Sequence, residues 1–307
     1  MRGLDWLWLG VPLVGLVELG GHLYFAHRAP GDRDWRQLKP GVERLRQQDE
    51  LVVVAPHWAE PLARRSLGDN LMPLAQVARA DETSFERAIE VSLLGQRAPE
   101  LSGWNEVSRE RAGPFRLRVL ANPAFVPVRF DFVAGLGPGR VTVAYGEPSG
   151  LRDCPFRDDF HPVAGGLHGS LAFPAARFGC GGGDQFVGLT IVEDASYRGH
   201  RCIWVAPPRR GARVLRYREV PLGEVIRGHT ATSWFLMRDR RTAPVVVTFR
   251  VDGDEVGTVA HYDGGWSGWN AFEFPLGAHA NQTGEVTVEV RSADAENRQF
   301  CFQADTR

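Results

Sequence analysis

The sequence predicts an α+β, multidomain protein: an N-terminal transmembrane helix, then a small α/β domain, then an antiparallel, jelly-roll-like β-sandwich. Three observations predict this fold class. A long apolar run lies near the N-terminus, helical and strand-like segments alternate after it, and short runs of alternating apolar and polar residues fill the remainder. We place the three parts at residues 1–28, 32–121 and 122–307.

Composition limits the class of protein. The chain has 307 residues, enough for about two folded domains. Its 43% hydrophobic and 24% charged residues are typical of a globular protein and exclude a disordered or fibrous one. The formal net charge is −1, so no overall positive field draws the chain to nucleic acid. We therefore expect no nucleic-acid partner.

The apolar run Leu4–Ala26 is long enough for one membrane crossing, because about 20 apolar residues cover the hydrocarbon core of a bilayer. Glu18 and His22 interrupt it four residues apart and so share one face of a helix. This face is predicted to contact a partner helix, unless both side chains reach the membrane boundary. A cleaved signal peptide is the alternative, but no small-residue cleavage site follows the run, which favours an uncleaved anchor.

In the α/β domain, apolar residues at helical spacing predict helices over residues 34–46 and 58–67. Short apolar runs predict strands over residues 51–54, 88–94 and 115–120. Because strands and helices alternate, we expect the sheet of this domain to be mostly parallel.

The region after Asn122 changes to period-two patterns separated by turn residues, which are typical of an antiparallel sandwich or jelly roll. Asp252 and Gly253, for example, predict a tight hairpin between two such runs. The predicted strands are residues 126–132, 140–145, 185–193, 202–206, 214–220, 232–237, 245–251, 256–261, 272–275, 286–291 and 299–303.

The four cysteines, Cys154, Cys180, Cys202 and Cys301, are scattered and form no C-x-x-C pair, so their spacing does not fit a zinc site. An even, scattered set behind an N-terminal anchor predicts two disulfides in an oxidising compartment. Of the three possible connectivities we favour Cys154–Cys180 with Cys202–Cys301. Four buried free thiols are the alternative, because free cysteine is often a small core residue.

The run from Asp34 to Asp69 carries a family likeness. It begins with Asp34-Trp35-Arg36 at the start of a helix and continues with Asp49-Glu50-Leu51-Val52 at the start of a strand. This run resembles the soluble tail that follows the last membrane helix of bacterial glycosyltransferases of the dolichyl-phosphate-mannose mannosyltransferase type. The segments RCIWVAPP and FCFQADTR resemble β-sandwich tails of envelope proteins.

The resemblance implies a non-catalytic accessory protein or, as the alternative, a fragment of a longer polytopic protein. In that family the catalytic aspartate lies in a loop among many membrane helices, and no position of this chain corresponds to it. The implied partners are the membrane, a polytopic glycosyltransferase, and a glycan or lipid-linked sugar. The predicted anchor and the cysteines together indicate the bacterial cytoplasmic membrane, crossed once, with the bulk of the chain in the periplasm.

Other motifs do not complete a catalytic or cofactor site. The glycine-rich run at residues 179–184 lacks the continuation of a phosphate or dinucleotide loop, and Gly265–Trp269 lacks the last glycine of a nucleophile elbow. Asp158, Asp159, His161 and His168 match no metal-ligand spacing. We therefore expect no cofactor, no metal and no catalytic residue in these motifs.

One loop and its flanks combine aromatic and polar residues in a pattern that suits a sugar. Aromatic rings pack on the C–H faces of sugars, while amide and carboxylate groups bind hydroxyls. The alternative is that the aromatic residues close one end of the sandwich core. The predicted ligand-binding residues are Tyr262, Asp263, Trp266, Trp269 and Asn270.

Two functions follow from these observations. The first is a membrane-anchored envelope protein with a non-catalytic binding or accessory role in glycan processing. The second is an enzyme acting on envelope carbohydrate, which would need two carboxylates about 5–10 Å apart. The candidates for that acid–base pair are Asp158, Asp159, Asp263 and Glu273.

Overall fold

The computed structural model describes residues 5–28, 30–47, 50–163, 172–181, 185–194, 197–232, 243–262, 268–295 and 298–307. The chain divides into two compact units. The first unit contains Met1–Pro73 and Arg87–Ala121, and the second contains Leu74–Glu86 and Asn122–Arg307. The segment Leu74–Glu86, which we placed in the α/β domain, thus groups with the β-sandwich.

The N-terminal apolar run forms helix α1 (Asp5–Arg28), and Glu18 and His22 are exposed on it. Among the described residues, however, we find no helix of sufficient length and apolar character to cross a membrane. The predicted transmembrane helix is therefore not supported.

The first unit packs helices on a small sheet. Besides α1, this unit contains the helices α2 (Asp32–Leu45) and α3 (Glu60–Leu67). Its strands, in the order β1-β2-β4-β3, are β1 (Leu51–Ala55), β2 (Arg87–Leu93), β3 (Asn105–Ala112) and β4 (Phe115–Ala121). Trp35, Leu38 and Val42 lie one turn apart on α2 and are buried, and the Trp35 ring packs against Phe115 of β4 at 4.5 Å.

The sheet of the first unit is not mostly parallel, as we expected from the alternation of strands and helices. Strand β1 pairs with β2 in parallel, but β4 pairs with both β2 and β3 in antiparallel fashion. A tight hairpin, in which Gly113 adopts a φ of 60°, makes the β3–β4 pair antiparallel. Strand β3 has the largely exposed sequence NEVSRERA, which offers no apolar pattern from which to predict it.

The second unit begins with the short helix α4 (Leu74–Val77) and continues into strands. In chain order these are β5 (Phe130–Asp131), β6 (Val141–Gly146), β7 (Arg152–Asp153), β8 (Phe156–Arg157), β9 (Arg177–Gly179), β10 (Phe186–Glu193), β11 (Gly199–Val205), β12 (Ala212–Pro221), β13 (Val225–Thr232), β14 (Val245–Val251), β15 (Asp254–His261), β16 (Trp269–Pro275), β17 (Thr283–Ser292) and β18 (Phe300–Thr306).

These strands form two antiparallel sheets, as predicted for a sandwich. The large sheet has the order β16-β13-β18-β11-β10-β9-β8, with β5 paired to β18, and the small sheet has the order β15-β14-β17-β12-β6-β7. The inward faces of both sheets contribute to one core, to which β14 adds Val245, Val247, Phe249 and Val251, all fully buried. The alternation of apolar residues along each strand thus places the core between the sheets.

Two of the predicted strands differ from the structure. Of residues 126–132, only Phe130 and Asp131 form a strand. Of residues 232–237, Thr232 is the last residue of β13, and residues 233–237 lie outside the described part of the chain.

The four cysteines form the two predicted disulfides. Cys154 pairs with Cys180, and Cys202 of β11 pairs with Cys301 of β18. All four are at most 4% exposed, so both bonds lie in the packed interior of the second unit. The favoured connectivity is confirmed, and the alternative of four free thiols is excluded.

Candidate functional site

A stack of three rings lies on the outer face of the large sheet. The indole of Trp269 on β16 is nearly parallel to the imidazole of His200 on β11, at 4.3 Å and 11°, and to that of His229 on β13, at 5.2 Å and 10°. Strands β11 and β13 lie on either side of β18 in the sheet, and the indole contacts one imidazole from each of them. Stacked rings at these distances stabilise one another beyond their burial.

The segment Leu74–Glu86 covers this stack. The carbonyl of Ala80 accepts a hydrogen bond from the Trp269 Nε1–H at 2.9 Å. The carbonyl of Ala78 accepts one from the backbone N–H of Arg201 at 2.6 Å. The Nδ1 atom of His200 lies 2.9 Å from the carbonyl oxygen of Arg79. These bonds satisfy backbone groups of a segment without regular structure of its own after α4, which explains why the segment packs with the sandwich.

Ion pairs fix the same segment at its acidic residues. Asp81 accepts a hydrogen bond from the Thr83 hydroxyl at 2.7 Å and lies 3.5 Å from the Arg307 guanidinium. Glu82 is 2.7 Å from Arg198 of the sandwich. Because both carboxylates are largely buried, an unpaired charge here would be costly, and the arginines supply the compensation.

The protonation of these groups follows from their surroundings. Burial by itself would raise the pKa of Asp81, but the Thr83 hydrogen bond and the Arg307 charge outweigh it and hold that pKa below its usual value. Burial acts on Glu82 in the same direction, yet the charges of Arg79 and Arg198 lower its pKa overall. Both side chains are therefore carboxylates near neutral pH, acting as acceptors and not as proton donors.

A second histidine site joins the two sheets. His261 on β15 is 2% exposed and faces Thr230 and Thr232 on β13, whose hydroxyls lie 3.0 Å from Nδ1 and 3.3 Å from Nε2. The Asn270 amide Nδ2–H donates to Nδ1 at 3.3 Å. Since an amide nitrogen can only donate, Nδ1 is assigned as the acceptor and the ring proton to Nε2. Burial, and secondarily the charge of Arg298, lowers the pKa of His261 to about 4.

The predicted sugar-binding residues are placed differently from one another. Tyr262 directly follows His261 and is 60% exposed, whereas Asn270 is half-buried and bonded to that histidine. Trp269 is half-buried, and its ring contacts His200 and His229. Asp263 and Trp266 lie outside the described residues.

Among the described carboxylates that we considered for an acid–base pair, Glu273 is far from Asp158 and Asp159. Glu273 lies on β16 and Asp158 and Asp159 follow β8, the strands at opposite ends of the large sheet, about 30 Å apart at the usual strand spacing. Asp159 is instead paired with Arg157 at 2.8 Å. Asp263, the remaining candidate, lies outside the described residues.

The residues that we considered as metal ligands are Asp158, Asp159, His161 and His168. Within the described ranges, no group of three or more His, Cys, Asp or Glu side chains is arranged to hold a metal ion. Asp158 and His161 are exposed, and His168 lies outside those ranges.

The ring stack and its covering segment were not predicted as a unit. His200, His229 and the residues Arg79–Thr83 are far apart in the sequence, and the segment has no apolar periodicity. The Asp81–Thr83 spacing is the one local signal, because the Thr83 backbone N–H bonds the Asp81 side chain at 2.9 Å, as in a short polar turn.

No protein-family model and no curated protein matches this chain. Similar solved structures include a glycoside hydrolase family 43 arabinoxylan arabinofuranohydrolase from Bacillus subtilis in complex with cellotetraose, with 11% identity, 72% of this chain and 41% of that chain covered, and a TM-score of 0.28.

Domains of Clostridium perfringens ZmpB are also similar. CBM51-2 in complex with GlcNAc and INT domains match at 9% identity, covering 67% of this chain and 41% of that chain, with a TM-score of 0.28. The M60 catalytic domain with CBM51-1 and CBM51-2 matches at 8% identity, covering 67% of this chain and 20% of that chain, with a TM-score of 0.29. This chain thus spans less than half of each of these chains, and likenesses of this size do not establish a shared fold or function.

Proposed function

We propose that the second unit is a non-catalytic, carbohydrate-binding β-sandwich that works outside the cytoplasm. The observation that carries the proposal is the exposed ring of Tyr262, which follows a buried and hydrogen-bonded strand end. Its neighbour His261 is buried and fixed by Thr230, Thr232 and Asn270, so the strand end that bears Tyr262 is held in one position.

A fixed, exposed aromatic ring suits a sugar. The apolar C–H face of a pyranose packs on a ring, and a ring with only two side-chain torsions loses little entropy when it is covered. Asn270 is half-buried and bonds His261, so it helps to fix the strand end that bears the ring. The ring supplies the apolar contact that sugar binding needs.

The disulfides support the location. Disulfides form and persist in oxidising compartments and are rare in the cytosol. Cys154–Cys180 and Cys202–Cys301 are both buried within the second unit. A folded, oxidised sandwich is therefore expected on the outer side of the cytoplasmic membrane.

An array of neutral hexose and pentose oligosaccharides tests the proposal with the full chain. We expect the wild type to bind at least one oligosaccharide, and the Tyr262→Ala variant to bind it about tenfold more weakly or worse, because truncation of a central aromatic residue is among the most costly interface changes.

Tyr197→Ala is the matched control, since Tyr197 is an exposed tyrosine of the same unit with 65% of its surface accessible. Its affinity should equal that of the wild type. If the wild type binds no oligosaccharide, or if both tyrosine variants bind as the wild type does, the proposed function is wrong.

A further inference from the structure

Three arginines converge on the outer face of the small sheet. Arg216 and Arg218 on β12 flank Tyr217, which points into the core and is fully buried, so both arginines point outward and are exposed. Arg140 immediately precedes β6 and is also exposed. We call Arg140, Arg216 and Arg218 the arginine patch.

The register of β6 and β12 brings the patch together. Arg216 is paired with Thr142, and the backbone N–H of Arg218 donates to the carbonyl of Arg140 at 3.2 Å. Arg218 and Arg140 are therefore directly opposite each other on neighbouring strands, where Cβ atoms lie about 5 Å apart. Arg216 is two residues further along the same face.

The pairing of Arg140 with Arg218 brings two like charges together on the exposed face of the sheet. Like charges directly opposite each other on antiparallel strands repel. Among the described residues, no member of the patch is in an ion pair with a carboxylate, although the same sheet face pairs Arg250 with Glu255 at 2.9 Å and with Glu289 at 3.5 Å. The exposed Glu219 and Glu285 lie beside Arg218, at the register shift between β12 and β17, and in the described part of the chain neither forms an ion pair with the patch.

Hydroxyl groups complete the surface. Arg216 lies between Thr142 on β6 and Thr287 on β17, its partners on either side. Guanidinium groups bind carboxylates through paired N–H donors, and hydroxyls can donate a further hydrogen bond to the same anion. The face thus offers several hydrogen-bond donors to an anionic group.

We propose that the arginine patch binds an acidic polysaccharide, one whose sugars carry carboxylates. The inference rests on the proposed function, because it makes the sandwich a binder of polymeric carbohydrate, and it assigns the charged part of the ligand to a face other than that of Tyr262. A polymer is favoured over a single sugar acid because the patch is open and exposed. Nucleic acid is disfavoured because the disulfides indicate an oxidising compartment and the net charge is −1.

The test uses the full chain and polygalacturonate, with methyl-esterified polygalacturonate as the uncharged counterpart and a DNA duplex as a different polyanion. We expect retention on polygalacturonate that weakens with salt, and no retention on the ester. The R216Q/R218Q variant should bind at least about tenfold more weakly, since hydrogen bonds to charged groups contribute strongly.

R209Q/R210Q is the matched control, because Arg209 and Arg210 are an exposed pair in the same unit, in the turn between β11 and β12. It removes the same charge and should bind as the wild type does, while R216K/R218K should recover part of the lost affinity. Circular dichroism of each variant confirms its fold.

Equal loss in R209Q/R210Q, no loss in R216Q/R218Q, or equal binding of DNA and polygalacturonate would overturn the inference. These outcomes are independent of Tyr262→Ala, which reports on neutral sugars and on the proposed function.

Discussion

Replacement of His261, the buried histidine between the sheets, should reduce the loss of folding stability at acidic pH. The His261 pKa falls from an ordinary 6.5 to about 4 in the folded protein. Between these values the unfolded chain binds a proton at this site and the folded chain does not, so this site favours folding above pH 6.5 and loses its contribution as the pH falls toward 4.

The size of the effect follows from that difference. At about 1.4 kcal/mol per pKa unit, the fall from 6.5 to about 4 corresponds to about 3 kcal/mol of stability lost on acidification. The His261→Gln variant cannot take up this proton. Its free energy of unfolding should therefore decline by about 3 kcal/mol less than that of the wild type between pH 7 and pH 4, whatever its stability at pH 7.

Urea unfolding monitored by tryptophan fluorescence at several pH values measures both curves. Losses from carboxylates such as Asp81 and Glu82 occur in both proteins and cancel in the comparison. His161→Gln, at an exposed position, keeps the buried site and should follow the wild type. Parallel pH curves for the wild type and His261→Gln would refute the assignment of a neutral, buried imidazole.

Two further perturbations test the outer layer of the sandwich and its covalent links. Trp269→Ala removes the stacked indole and its hydrogen bond to Ala80, and it should lower the free energy of unfolding by about 3 kcal/mol. Trp58 in the first unit is 63% exposed, so Trp58→Ala should change the free energy of unfolding little. Equal effects of the two substitutions in thermal unfolding would contradict the role of the stack. Loss of the Cys202–Cys301 disulfide, which spans 99 residues, should lower the free energy of unfolding by about 5 kcal/mol, and loss of Cys154–Cys180, which spans 26, by about 3.5 kcal/mol. Variants with both cysteines of one disulfide replaced by serine measure the two losses. The reverse order of the losses would contradict a loop-entropy origin.

The sandwich could be predicted where one face of each strand is apolar. Strands such as Val245–Val251 have valine or phenylalanine at each inward position, and period two then fixes both the strand and its buried face. Two disulfides could be expected because the cysteines are even in number and scattered, whereas the pairing was one choice among three connectivities.

Strand β13 (Val225–Thr232) shows why some strands could not be predicted. Its inward residues include Gly228, Thr230 and Thr232, so it lacks an apolar face. The two threonines face His261, and a Cβ at Gly228 would collide with the backbone carbonyl oxygen of Gln303. A buried histidine and a close backbone approach thus decide these residues, and neither is visible in local sequence.

The candidate site was predictable only in part. Tyr262 and Asn270 stood out because aromatic and amide residues flank one loop, and the structure shows one ring exposed and one amide bonded to His261. Trp269 belongs to the same sequence pattern but contacts His200 and His229, which come from distant strands. Exposure depends on such long-range contacts, and composition alone does not report it.

The path of the chain has a consequence for the way this protein can be divided or inherited. In the sequence, Leu74–Glu86 lies between α3 and β2 of the first unit. It nevertheless belongs to the second unit, where the carbonyl of Ala80 accepts a hydrogen bond from the Trp269 indole. A fragment that starts at residue 122 would lack the acceptor at Ala80 and the acidic partners of Arg198 and Arg307. The complete sandwich is therefore not encoded by one continuous segment that begins at residue 122. A fusion protein that contains the sandwich would also have to include Leu74–Glu86.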